Sequence, residues 1–261
     1  MAFWVTYDHI GKLILCSLLW SIPVSLFVFL ALGAFATGQP NVIASVGIPC
    51  LVLGFGVLMP ILSAGMCHMV KILIDKRDGS VLDMFRGIRR FWLRAAGLGL
   101  AYVLIAACLV TSVWFYAVKL GGGLHWLGYT LSALALWALL FTALTALMAF
   151  PALVQKGEGL TATGKLSALL VLDNPLLMVG VLLQVVGIAA VSIAIPPVFF
   201  FLGGAMLWVL LSSVYELMSR KYAVLAQDTA PSGQAPVLPV DDEKDEYLNR
   251  GFRDFLFPWK G

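Results

Sequence analysis

Long stretches without a single charged residue limit what this chain can fold into. Residues 13–36, 42–70 and 174–215 contain no Asp, Glu, Lys or Arg. A helix of about 20 apolar residues is enough to cross the hydrocarbon core of a bilayer. Only 12% of the residues are charged and 61% are hydrophobic, whereas a soluble domain typically carries about 25% charged residues. The expected environment of these stretches is therefore the lipid bilayer.

The apolar pattern predicts an all-α fold: a polytopic membrane helical bundle of about six transmembrane helices, with short amphipathic helices on the cytoplasmic side. The expected spans are residues 13–36, 52–74, 95–118, 127–153, 176–195 and 198–218. We expect a kink or partial break in the second span, because residues 42–70 exceed one crossing and contain several Gly and Pro residues. The residues before the first span predict a short interfacial helix, and we expect that span to be retained instead of cleaved as a signal peptide.

Basic residues concentrate in residues 71–94, which hold seven of the 17 Lys and Arg residues of the chain. The sequence DGS at 78–80 predicts a turn and a helix start. An amphipathic helix is expected to follow, with Val81, Phe85, Ile88 and Trp92 on its apolar face, and to lead into the third span. For cytoplasmic coupling or lipid contact we predict Lys71, Lys76, Arg77, Phe85, Arg86, Arg89, Arg90, Trp92 and Arg94. A second short helix is expected at residues 160–172.

The distribution of basic residues also predicts orientation. Lys and Arg beside membrane spans favour the cytoplasmic side. If residues 71–94 lie inside, six spans place both termini inside, and every Lys and Arg except Lys119 is cytoplasmic. We therefore predict a multi-pass protein of a bacterial cytoplasmic membrane that contacts the lipid bilayer and its anionic phospholipid headgroups. The sequence shows no basic stripe with interleaved aromatics, so nucleic acid is not an expected partner.

The end of the chain differs from the rest in composition. We divide the sequence into a six-span membrane domain at 1–225, a flexible linker at 226–240 and an acidic, aromatic segment at 241–261. A disordered tail rarely contains so many aromatic residues. We predict that the last segment docks on the protein or on the membrane interface through Phe252, Phe255 and Trp259.

Candidate chemical sites are few. Met66 to Met69 include three types of metal ligand, but adjacent helical residues point in different directions, and we expect His68 to hydrogen-bond a neighbour. Glu216 precedes Arg220 by four residues and predicts an ion pair within one helix. The sequence has no nucleophile elbow, Walker motif, HExxH or pair of intramembrane carboxylates. We expect no enzymatic activity, cofactor or bound metal.

Two segments of the chain resemble the YesL-like family of bacterial integral membrane proteins: DHIGKLILCSLLW at 8–20, and KRDGSVLDMFRGIRRFW at 76–92 together with the span before it. The resemblance covers approximately residues 5–222. Its matching positions are Gly11, Lys12, Leu13, Lys71, Gly79, Phe85 and Arg86. It implies a six-helix integral membrane fold and an association with carbohydrate uptake, and it supplies no catalytic residues.

Two functions are open at this point. The chain is expected to be a component or accessory of a solute-uptake system, or else a scaffold or regulatory protein that recruits a membrane or cytoplasmic protein partner through its cytoplasmic helices and its tail. Spans almost without charge argue against ion-coupled transport, which needs ionisable groups within the membrane. The sequence leaves the oligomeric state open.

Overall fold

The computed structural model describes residues 9–76, 79–119, 125–157 and 159–229, and it is helical without a strand over these residues. We number the helices in chain order. They are α1 at Ile10–Ala36, α2 at Pro40–Lys76, α3 at Val81–Lys119, α4 at His125–Lys156, α5 at Leu160–Asp173, α6 at Pro175–Ala194 and α7 at Pro196–Thr229, of which Pro196–Tyr222 is the span. All but α5 are long and apolar enough to cross a membrane. The predicted all-α bundle of six spans is confirmed.

Apolar side chains cover the outside of this bundle. Leu176 is 88% exposed, Ile193 82% and Phe29 74%, and all three belong to membrane-spanning helices. Lipid tails are as apolar as these side chains, so such exposure is favourable in a bilayer and unfavourable in water. The described part of the chain is therefore a multi-pass membrane protein in contact with lipid.

The second span is longer than predicted, and of the expected kink or partial break the break is absent. Helix α2 continues as one helix over 37 residues, and its Gly- and Pro-containing half includes two π-helical segments, Ile43–Gly47 and Val52–Leu58. A π-helical turn hydrogen-bonds from residue i to i+5 and so accommodates an extra residue within the helix. The additional length predicted from residues 42–70 is therefore absorbed within the helix and does not produce a separate segment.

The amphipathic helix predicted after residue 80 is continuous with the third span. Helix α3 begins at Val81, after Ser80 as N-cap, and has 39 residues. At 1.5 Å per residue it measures about 58 Å, roughly twice the thickness of the hydrocarbon core. Its first turns therefore extend beyond the hydrocarbon core or run obliquely along its surface. The second short helix, α5, is separate as predicted, and it ends where Pro175 begins α6.

Glycines bring α2 and α3 close together. A Cβ at Gly99 of α3 would lie 2.1 Å from Cγ of Pro60 in α2, and a Cβ at Gly87 would lie 2.5 Å from Cβ of His68. On α2, a Cβ at Gly65 would lie 2.6 Å from Cγ1 of Ile88. Small residues allow membrane helices to pack backbone against backbone, where van der Waals contact drives association. Helices α2 and α3 thus form a tightly packed interface.

Helices α1 and α7 close the bundle through a few polar contacts. The indole N–H of Trp20 donates to Oγ of Ser63 in α2 at 3.1 Å, and Oγ of Ser21 lies 3.3 Å from the Phe200 carbonyl of α7. A Cβ at Gly204 would lie 2.8 Å from the Trp20 ring. These contacts hold α1 against α2 on one side and against α7 on the other.

Candidate functional site: the basic end of the bundle

Polar and charged side chains gather at one end of the bundle, which we call the basic end. It comprises the end of α2, the start of α3, the end of α4, all of α5, the start of α6 and the end of α7. The residues predicted for coupling or lipid contact lie here. Arg77 alone among them falls outside the described residues. The geometry separates them into residues that hold the helices together and residues that face outward.

Asp83 anchors the start of α3. Its side chain accepts a hydrogen bond from the Ser80 backbone N–H at 2.9 Å and forms an ion pair with Arg86 at 2.6 Å. The Asp83 backbone carbonyl lies 3.0 Å from Nδ1 of His68 on α2, a contact in which the ring nitrogen donates. Asp83 is 7% exposed, whereas the Arg86 side chain is 71% exposed. The carboxylate therefore completes the capping box of α3, the backbone carbonyl fixes this turn against α2, and Arg86 remains in solvent or among headgroups.

Lys71 and Arg94 bind the end of α4. The Lys71 ammonium donates to the Gln155 carbonyl at 3.3 Å, and Nη1 of Arg94 donates to the Gly157 carbonyl at 2.7 Å. The last carbonyls of a helix have no intrahelical partner and carry the negative end of its dipole, which favours cations. These two predicted contact residues thus connect α2 and α3 to α4 through one hydrogen bond each.

Several predicted residues face outward along the start of α3. Phe85 is 50% and Trp92 51% exposed, and Arg89 and Arg90 are also exposed. Lys76 is exposed at the end of α2. The guanidinium of Arg90 lies 5.3 Å from the centre of the Phe91 ring, within the range of a cation–π contact. Aromatic and basic side chains thus alternate on one exposed surface.

A groove of about 390 Å³ lies beside this surface, between the first turns of α3 and Gly157. It is lined by Arg90, Phe91, Trp92, Leu93, Arg94 and Gly157. The structure therefore brings together three of the predicted contact residues, Arg90, Trp92 and Arg94, at one concave site. A cationic and aromatic lining suits an anionic or aromatic group of a lipid or a protein.

The residues that pack α3 into the bundle were not identified from the sequence. Val81 and Ile88 are half-buried, but Phe85 and Trp92 of the predicted apolar face are exposed. The buried residues besides Asp83 are Met84, Gly87, Phe91 and Ala95, about a quarter of a turn away. Their spacing of three and four residues was present in the sequence, but one of them is Gly, whose contribution is close approach and not hydrophobic area.

A second polar cluster at the basic end was also missed. The Tyr222 hydroxyl donates to Asp173 at 2.8 Å and accepts from the Asn174 amide at 2.6 Å, and Lys221 donates to Oδ1 of Asn174 at 2.9 Å. The cluster joins the end of α7 to the α5–α6 junction. The sequence pattern marks Asp173 and Asn174 only as helix breakers, because a partner about 48 residues away has no local signal.

Two smaller predictions are confirmed. Glu216 and Arg220 form an ion pair at 3.2 Å within α7, and His68 hydrogen-bonds a neighbour as expected. The described residues contain no cluster of three His, Cys, Asp or Glu side chains able to hold a metal ion. The predicted tail residues Phe252, Phe255 and Trp259 lie outside the described residues.

Comparison of the chain with protein-family models, curated proteins and solved structures gives no match. The resemblance to the YesL-like family therefore stays a prediction, and the basic end is interpreted from its own geometry.

Proposed function

We propose that the protein is a non-catalytic accessory component of a solute-uptake system in a bacterial cytoplasmic membrane, and that it acts through its basic end. In this proposal the spans anchor the protein and hold the basic end in shape, and the solute does not pass through the bundle. The supporting observation is the contrast between an apolar, packed interior and an exposed basic and aromatic surface at one end.

The interior supports an accessory role over a conducting one. The buried core consists mainly of aliphatic, Met and aromatic side chains. Its buried polar residues in the described part are Ser and Thr hydroxyls, with Asp83 at the basic end as the sole charged one. A path for a polar solute needs convergent polar groups or water at membrane depth. The described core contains several such hydroxyls but no buried ion pair, which disfavours a charged or ion-coupled solute.

The exposed surface of α3 supports contact with headgroups and with a partner. A basic residue near an anionic membrane surface contributes about 1 kcal/mol of attraction, and Trp and Phe favour the interface. Arg86, Arg89 and Arg90 supply the charge, and Phe85 and Trp92 supply the apolar contact. We assign this end to the cytoplasmic side, with both termini inside, because the basic residues favour that orientation.

Uptake of the radiolabelled sugars maltose and sucrose tests the proposal. Cells that lack the protein should lose uptake of at least one sugar, while the purified protein alone in proteoliposomes should give no flux above protein-free vesicles. Flux through the purified protein would contradict the accessory role. Uptake that is insensitive to loss of the whole protein would contradict any role in transport.

Variants distinguish the basic end from the tail. Replacing Arg86, Arg89 and Arg90 together by Gln should abolish the uptake that depends on the protein. The matched control is Lys119→Gln, which removes a cation at the opposite end of α3 and should leave uptake unchanged. Deletion of residues 226–261 should also leave it unchanged. If the deletion abolishes uptake and the triple variant does not, the tail carries the function, as in the scaffold alternative.

A further inference from the structure

Gln184 is a polar residue in the middle of a membrane span. Helix α6 has 20 residues and measures about 30 Å, so it crosses the hydrocarbon core almost without tilt. Gln184 lies near the centre of this helix, about 14–15 Å from either end. Among the described spans it is the only Asn or Gln away from the ends. Its side chain is too short to reach water or headgroups from that depth.

The carboxamide of Gln184 has no hydrogen-bond partner within the described residues, and Gln184 is exposed. Several Ser and Thr hydroxyls of the spans instead bond back to their own helix, as when Thr142 donates to the Ala138 carbonyl at 2.8 Å. A carboxamide left unpaired in hydrocarbon is unfavourable. Acyl chains offer neither a donor nor an acceptor, so lipid around α6 leaves this group unpaired.

Gln184 lies at the centre of a seam along α6, which consists of Leu177, Gly180, Gln184, Gly187 and Val191. Their spacing alternates between three and four residues, which places all five on one helix face. An added Cβ at Gly180 or Gly187 would meet no neighbouring atom within 4 Å, and Leu177 and Val191 are 47% and 50% exposed. No other described helix therefore covers the seam.

The surface beside the seam is concave. A groove of about 390 Å³ lies between α6 and α7, with Leu177, Gly180 and Gln184 on its α6 side. Val214 and Leu217 are among the residues on its α7 side. The groove has room for apolar side chains of a helix that lies along the seam, and the glycines allow the two backbones to approach closely. The seam thus has the form of a helix-packing surface.

The carboxamide and its depth favour a second copy of this chain as the partner. A carboxamide carries both donors and an acceptor, so two Gln184 side chains related by a two-fold axis satisfy each other. Copies inserted in the same orientation carry Gln184 at the same depth. In a parallel pair of helices with this spacing, equivalent residues face each other, and one polar residue in the seam fixes the register.

We propose that the protein forms a parallel homodimer through the seam of α6, with the two Gln184 carboxamides hydrogen-bonded to each other at mid-membrane depth. This interface does not depend on the function proposed for the basic end.

Förster energy transfer tests the proposal. Full-length proteins that carry a donor or an acceptor fluorescent protein at the C-terminus are reconstituted together in phosphatidylcholine vesicles, and transfer should fall on dilution with lipid as a monomer–dimer equilibrium requires. Gln184→Leu removes the hydrogen bonds and keeps the size of the side chain. The Kd of the dimer should rise roughly 5- to 30-fold, the factor equivalent to about 1–2 kcal/mol. Gln184→Asn keeps the carboxamide, and its Kd should stay closer to that of the wild type than to that of Gln184→Leu.

Gly180→Leu blocks the approach of a second helix and should abolish specific transfer. The protomer has room for this side chain, and circular dichroism monitors folding of each variant. The matched control, Gly33→Leu, adds the same side chain at an exposed and equally open position of α1 and should leave transfer unchanged.

Two results would overturn the proposal. In the first, wild-type transfer does not exceed that to an unrelated acceptor-labelled membrane protein at the same density, which leaves lipid or a different protein on the seam. In the second, Gln184→Leu and Gly180→Leu, when folded, both dimerise like the wild type, which places the contact on another face.

Discussion

Replacing Gly99 by Ala should destabilise the bundle, although the change adds only one methyl group. The new Cβ would lie 2.1 Å from Cγ of Pro60 and 2.5 Å from the Gly56 carbonyl oxygen. Because non-bonded carbons settle at about 3.5–4.0 Å, α3 would have to withdraw from α2 by roughly 1.4 Å. Neither contacting atom belongs to a flexible side chain that could move aside.

The magnitude follows from two opposing effects. Overpacking a tight interface costs about 1–3 kcal/mol, and the rigid neighbours place Gly99→Ala at the upper end. Ala in place of Gly within a helix recovers up to about 1 kcal/mol. We expect a net loss of about 2 kcal/mol in the free energy of unfolding, measured by titrating the protein in mixed micelles with sodium dodecyl sulfate and following circular dichroism.

A matched substitution isolates the interface. Gly187 lies in α6, where an added Cβ would meet no neighbouring atom within 4 Å. Gly187→Ala should therefore be neutral or stabilising by up to about 1 kcal/mol. If Gly99→Ala proves as stable as Gly187→Ala, the close approach of α2 and α3 inferred from the glycines is wrong.

Three further predictions concern the basic end. Asp83→Ala should lower the free energy of unfolding by about 0.5–2 kcal/mol because the Ser80 N–H loses its acceptor in the capping box of α3. Arg86→Ala should change it by less than about 1 kcal/mol because an exposed ion pair contributes little, and equal effects in denaturant titrations would refute this. Lys71→Met and Arg94→Met should each speed amide hydrogen exchange at 155–165 by releasing the end of α4, and unchanged exchange would count against those contacts. Tyr222→Phe should destabilise α7 against α6 by about 1 kcal/mol in a thermal melt, and an unchanged midpoint would contradict the cluster.

The number of spans, and the bounds of all but the second and third, could be predicted from the sequence because crossing a bilayer requires a long apolar helix, and that requirement is local. The predicted spans at 176–195 and 198–218 correspond to α6 and α7 because Asn174 and the Pro196–Pro197 pair interrupt the apolar run. Of the kink or partial break expected in α2, the break did not form, since Gly54 and Gly56 pack against side chains of α1 and α3 within a continuous helix. A glycine in a sequence can indicate either a flexible point or a close helix–helix contact. The side chains of the adjacent helices determine which of the two applies, and the sequence does not show them.

The site was predicted less completely than the fold. Charge pattern identified the basic end, but it could not distinguish Lys71 and Arg94, which bind carbonyls of α4, from the outward-facing Arg89. That distinction depends on where α4 ends in space. A cavity of about 270 Å³ between α2, α3, α4 and α7 had no sequence signal, because its walls come from four helices and each contributes ordinary apolar residues.

The two π-helical segments of α2 affect how this protein should tolerate changes in length. A π-helical turn is equivalent to one residue inserted into an α-helix. Removal of one residue from Val52–Leu58 can therefore convert the turn to α-helix and keep the register of the residues on either side. The same deletion near Gly65 would rotate the rest of α2 by about 100° and turn Lys71 away from α4. The half of α2 that contains the π-helical segments should therefore tolerate a one-residue deletion, and the half that contacts the basic end should not.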